Sequence, residues 1–223
     1  MKFSVTMQCK SLFLALFLVF FLSGAVYAQT IDYKTMSKED LQKKIASFDL
    51  GLDSYIIGKK LNAMQLEVSK KDKDYKAYPG TVKFKDGDVF VIADMETNVV
   101  IAVYKRNKEA NKNDFKIAIS DLMLQYGEPT TEAHGKTIYW NYGEDGFITE
   151  ELYRTVKSQG QLETLVVLAT VKFTSSENVA TMTDLIDAMD KRNKEKDVKK
   201  EDVTSDQYVM IQSDLLTQKY MKK

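Results

Sequence analysis

The chain has 223 residues, 32 basic and 32 acidic side chains, one His and one Cys, and it is 44% hydrophobic and 29% charged. That apolar mass excludes a disordered chain, and a single Cys excludes a disulfide-stapled scaffold. Balanced charge argues against a general nucleic-acid binder, because neutralising phosphates needs a cationic excess or a strongly basic face.

The first segment reads as an export signal. Lys2 and Lys10 precede the eleven-residue apolar run Leu12 to Leu22, and Val26-Tyr27-Ala28 supplies small residues at a cleavage site. Cleavage is expected after Ala28. The run is shorter than the roughly 20 apolar residues that a membrane-spanning helix needs. Cys9 lies before the run, where a lipidation Cys would not stand, and it leaves with the leader. The expected product is periplasmic or secreted, does not span the membrane after cleavage, and has no thiol for disulfides, thiol catalysis or metal ligation. The predicted division is residues 1–28 as signal peptide, 29–176 as one two-unit domain and 177–223 as a C-terminal helical segment with a charged linker.

In the domain, Ser37-Lys38-Glu39-Asp40 forms a capping-box-like start. Leu41, Ile45 and Phe48 follow on one helical face, and Gly51 suits the stop. Tyr55, Ile56, Ile57, Leu61, Met64 and Leu66 predict a second helix, and Lys70 to Lys76 a solvated loop. The period then changes to two. Val82 and Phe84, Val89 to Ala93 and Val99 to Tyr104 predict three strands, with Asp86-Gly87 as the first hairpin turn. The two longer strands are apolar on both sides, so they are expected in a covered interior.

Asn113 or Asp114 caps the next helix. Phe115, Ile119, Leu122, Met123 and Tyr126 form its stripe, and Gly127 and Pro129 end it. A second meander is predicted from Thr137 to Tyr142, Phe147 to Arg154 and Leu162 to Phe173, with turns at Gly143–Gly146 and near Gly160. The expected fold is therefore α+β: an antiparallel sheet built from two helix-plus-three-strand units, with helices on one face, plus C-terminal helices. Those helices are read from Val179, Met182, Leu185, Ile186 and Met189, and from a capping pair Thr204 and Gln207 leading to Tyr208, Ile211 and Leu215.

The stretch Leu122-Met123-Leu124-Gln125-Tyr126-Gly127-Glu128-Pro129-Thr130, with Thr137-Ile138-Tyr139-Trp140-Asn141-Tyr142 after it, resembles the small envelope proteins of the SmpA/OmlA type. Those proteins, and the beta-lactamase-inhibitor-like fold they share, also run helix, Gly-x-Pro, then a strand with a Trp-x-Tyr pair. The likeness covers about one unit, and this chain lacks a lipidation Cys after its apolar run. The resemblance implies a helix-plus-sheet binding module that contacts other proteins of the cell envelope, and it does not imply catalysis.

The residues agree with that direction. His134, the only His, lies in a Gly-flanked loop with no Gly-x-Ser-x-Gly elbow anywhere. One His and no mature Cys do not fill a zinc ligand set. Asp86 with Asp88, and Glu144 with Asp145, read as hairpin tips, although paired carboxylates suit a hard cation. Glu150 and Glu151 read as exposed strand positions. No phosphate loop or dinucleotide fingerprint is present, so no cofactor is expected. Lysines at 70–76 and 191–200 are interleaved with acids and read as solvated surface. Trp140 and Tyr142 share one strand face and read as core. Tyr139 and Tyr153 are the candidate binding residues, as exposed aromatics on a sheet.

The sequence thus predicts a non-enzymatic exported module whose partner is a protein or envelope component. One alternative is a carrier of an apolar small molecule or lipid, with strands 89–93, 99–104 and 165–171 lining a cavity. Another is a carboxylate-dependent hydrolase using Glu150 and Glu151. A further one is assembly through helices at 178–222.

Overall fold

The computed structural model describes residues 33–71, 73–74, 78–110, 112–133, 137–159, 164–173 and 205–220. The leader, its cleavage site, His134, the loop at Gly160 and the predicted helix through Val179 to Met189 lie outside these residues.

Helix α1 is Lys38–Ala46, and the Ser37 hydroxyl accepts the Asp40 N–H at 3.1 Å, as the capping pattern requires. Leu41 and Ile45 are its buried side chains. The apolar segment after it is not one helix. Gly51–Leu52 (β1) and Tyr55–Ile56 (β2) form a two-stranded hairpin, and helix α2, Ala63–Lys71, follows. Asp53 takes positive φ at the hairpin turn. The Asn62 side chain caps α2 reciprocally with Gln65.

Among the described residues the main sheet has nine strands, and every pairing is antiparallel. Its strands are Lys73–Asp74 (β3), Thr81–Asp86 (β4), Val89–Asp94 (β5), Val100–Ala110 (β6), Thr131–Ala133 (β7), Thr137–Gly143 (β8), Gly146–Phe147 (β9), Val166–Phe173 (β10) and Ser205–Gln212 (β11). Between them run helices α3, Lys112–Tyr126, and α4, Glu150–Ser158, and α5, Asp214–Tyr220, ends the described chain. The order across the sheet is β3-β4-β5-β6-β11-β10-β8-β7, with β9 paired to β8.

The class is α+β: strands β3, β4, β5 and β6 follow α2, and β7, β8, β9 and β10 follow α3, with α4 between β9 and β10. The elements of the second unit differ from those predicted. Residues 147–154 were expected to be a strand, yet 150–158 is helical. The Thr149 hydroxyl accepts the Leu152 N–H there, and Glu150 and Glu151 fill the first turn, where carboxylates complement the helix dipole. Strand β3 occupies part of the expected 70–76 loop.

The C-terminal helical segment needs a further correction. Residues 205–212 are not helical. They form β11, which pairs with β6 on one side and β10 on the other and so joins the two units. Gln207, expected to cap a helix, sits in this strand. Met210 and Ile211 are adjacent, point to opposite faces and are both inaccessible to solvent. Burial on both faces is what the central strand of a covered sheet needs.

One face of the sheet carries Phe84, Val91, Val103, Ile138, Trp140, Leu168 and Ile211. Leu41 and Ile45 of α1, Leu122 of α3, and Leu216 and Tyr220 of α5 pack there, with Leu66 and Val68 of α2 at its margin. Lys219 donates to the Lys34 and Met36 carbonyls, so α5 ties down the start of α1.

Candidate functional site

The opposite face carries Tyr139 and a row of side chains set by register. Pairing places Lys85 opposite Phe90, Phe90 opposite Tyr104, Tyr104 opposite Met210, Met210 opposite Ala169, Ala169 opposite Tyr139, and Tyr139 opposite Thr131. Directly opposed residues share a face. Seven strands therefore contribute one transverse row about 29 Å long, at roughly 4.8 Å per strand. A second row beside it carries Arg106, Tyr208, Thr137 and Ala133.

One end of this surface is a cation–aromatic seam. The Phe90 and Tyr104 rings stack with centroids 4.7 Å apart and planes 7° apart, and Tyr208 follows at 6.2 Å from Tyr104. Lys83 Nζ lies 5.6 Å from the Phe90 centroid and 5.7 Å from that of Tyr104. Lys85 Nζ is 5.5 Å from Phe90, and the Arg106 guanidinium is 5.6 Å from Tyr208. All four placements are within the range where a ring's negative face attracts a cation. Lys83, Tyr104 and Tyr208 are nevertheless buried, so the seam is interior structure over most of its length.

The other end is partly open. Tyr139 is half-buried, packed beside Val167 and the Ala169–Met210 cluster. Its hydroxyl titrates above the usual tyrosine value, chiefly because burial disfavours the phenolate; a hydrogen bond with Thr137 opposes this, and the charge of Tyr153 adds to it. Tyr153 comes from helix α4, where a strand was expected. Helix α4 has no buried residue. Leu152 is 46% exposed, Tyr153 and Val156 are half-buried, and Lys157 sits 5.1 Å from the Tyr153 centroid while donating to its hydroxyl at 3.2 Å. Helix α4 thus offers a phenol, an apolar step at Leu152 and one cation, and β8 offers the second phenol, Tyr139.

Trp140 is fully buried on the helix-covered face, where its indole N–H donates to the Gly127 carbonyl at 2.9 Å. Tyr142 is core as well, between Phe48 and Phe147. The predicted carboxylate pairs are scattered. Asp86 accepts from the buried Tyr55 hydroxyl at 2.7 Å. Glu150 pairs with Arg154 at 2.6 Å on the outside of α4, and Glu151 is exposed beside it. Among the described residues, no three His, Cys, Asp or Glu converge as metal ligands, and no helix is long and apolar enough to cross a membrane. Sequence reasoning missed the Phe90–Tyr104–Tyr208 seam, because it depends on β11 pairing with β6 across about a hundred residues of chain.

No family model, curated protein or solved structure matches this chain.

Proposed function

We propose that this protein is an exported, non-enzymatic binding module of the cell envelope, and that it contacts a protein partner through Tyr139 on the sheet and Tyr153 and Leu152 on α4. The observation that carries the reading is this pair of half-buried aromatics, one on a sheet and one on a helix that buries nothing of its own. Tyrosines with an apolar body and a wet hydroxyl are favoured anchors at protein interfaces. The likeness of residues 122–142 to SmpA/OmlA-type envelope proteins and the leader-like N-terminus support the location. The carrier alternative gains less support, since Val91, Val103 and Leu168 of the strands assigned to a cavity are wholly packed.

A benzophenone-bearing residue placed at position 153 of the exported protein tests the proposal. Irradiated cells should give a discrete crosslinked adduct that Tyr139→Ala removes. A folded, exported chain that gives no adduct, or an adduct indifferent to Tyr139→Ala, would overturn it.

A further inference from the structure

Helix α3 carries apolar residues on two opposite sides. Ile119, Leu122, Met123 and Tyr126 face the core, and the Tyr126 hydroxyl reaches the Gly51 carbonyl at 3.3 Å. At about 100° per residue, Leu124 lies roughly 160° round the helix from Leu122, and Ile117 lies about 20° from Leu124. Ile117 is 58% exposed and Leu124 is 87% exposed. An aliphatic pair aimed directly away from the core has no part in holding this helix on the sheet.

The flanks of the pair are charged with opposite sign. With Ile117 and Leu124 at the first position of successive heptads, Ser120 lies between them on the same seam, Lys116 flanks one side and Asp121 the other. Lys116 and Asp121 are both exposed, and neither makes an ion pair among the described residues. In two parallel helices joined along such a seam, each flanking residue meets the one five positions on in the opposing helix, which sets Lys116 against Asp121 twice. Antiparallel joining would place both Lys116 flanks on one side of the contact and both Asp121 flanks on the other, so the Lys116–Asp121 pairs could not form.

From this juxtaposition we propose that the outer face of α3 is a self-association surface, on which a second copy of this chain docks by parallel helix pairing about a two-fold axis. An isologous contact suits the arrangement, since one patch supplies both the apolar seam and both charges. One pair of four-turn helices buries less than the roughly 1,200 Å² of a stable interface, so the dimer is weak and forms at high local concentration.

Sedimentation equilibrium of the exported protein from about 10 μM to about 1 mM tests this, with the expected dissociation constant on the order of 100 μM. The wild type should pass from monomer toward dimer across that range and dissociate as salt rises, because exposed ion pairs are screened. Leu124→Lys should remain monomeric throughout with an unchanged melting temperature, since the site is exposed. Lys116→Asp should weaken association about tenfold, and Lys116→Asp combined with Asp121→Lys should restore it. A wild type that stays monomeric to about 1 mM, or a dimer that survives Leu124→Lys, would overturn the proposal. Failure of the charge swap to restore association would overturn the parallel pairing.

Discussion

Replacing Ile211 or Met210 by Ala probes both faces of β11 at neighbouring positions. Ile211 lies opposite Val103 and Leu168, and Met210 lies opposite Tyr104 and Ala169; neither side chain touches solvent. Each change deletes three heavy atoms. At about 0.8 kcal/mol per buried carbon, the transfer loss for Ile211→Ala is about 2.5 kcal/mol. Incomplete collapse of the site adds a cavity cost, giving about 3–4 kcal/mol, inside the roughly 2–5 kcal/mol range of such truncations. A domain of this size loses about 2–4 °C per kcal/mol, so each variant should melt roughly 6–16 °C below wild type. Thermal unfolding followed by circular dichroism reads the shift, and urea titration at constant slope checks that the native state is what changed. Large losses at both of two successive residues fit a strand buried on both sides. A surface amphipathic helix would lose stability at no more than one of them. If either variant melts within about 2 °C of wild type, the placement of β11 between β6 and β10 is refuted.

Three other perturbations follow from specific contacts. Gly58 has φ +82°, and a Cβ there would meet the Ala46 nitrogen and the Gln42 carbonyl oxygen of α1 at 2.9 Å; Gly58→Ala should therefore cost at least about 2 kcal/mol, read by urea unfolding. Trp140→Phe leaves the Gly127 carbonyl without its indole partner and a gap in the core, so a loss of about 2–3 kcal/mol is expected, with the melting temperature as readout. Burial pushes the Tyr142 hydroxyl up to about 12, and Tyr55 and Tyr126 are also raised by burial. A raised folded-state value means the native protein holds these protons more tightly than the unfolded chain. Their contribution is complete below about pH 10 and declines as pH climbs toward 12. Stability measured by urea titration should fall over that window, and Tyr142→Phe should make the fall shallower; an unchanged slope would contradict the assignment.

How much of this could be read from the sequence depended on how local the determining forces are. Ser37 announces α1 because a hydroxyl and the amides it caps lie within three residues. The β4–β5 hairpin is legible because Gly87, at φ 55°, sits in a two-residue turn between two apolar runs. Gly127, at φ 81°, closes α3 in the same local way. Helix α4 was missed because Phe147 and Ile148 run into it and resemble the start of a strand, although Thr149 with Leu152, Tyr153 and Val156 carries a cap and helical spacing. Strand β11 was missed for a different reason. Tyr208, Ile211 and Leu215 have helical spacing, but Tyr208, Met210 and Ile211 are all buried, and two-sided burial erases the alternation that marks a strand. Tyr139 and Tyr153 were legible as two aromatics, and the helical setting of Tyr153 was not, because Phe147 and Ile148 mask the start of α4.

The position of β11 decides whether the two units share one sheet. Interstrand nuclear Overhauser effects test it most directly. Backbone proton contacts should link Met210 to Tyr104 and Ala169, and Ile211 to Val103 and Leu168, with slowly exchanging amides throughout 207–212. Sequential helical contacts across 205–212, with no cross-peaks to β6 or β10, would contradict the account.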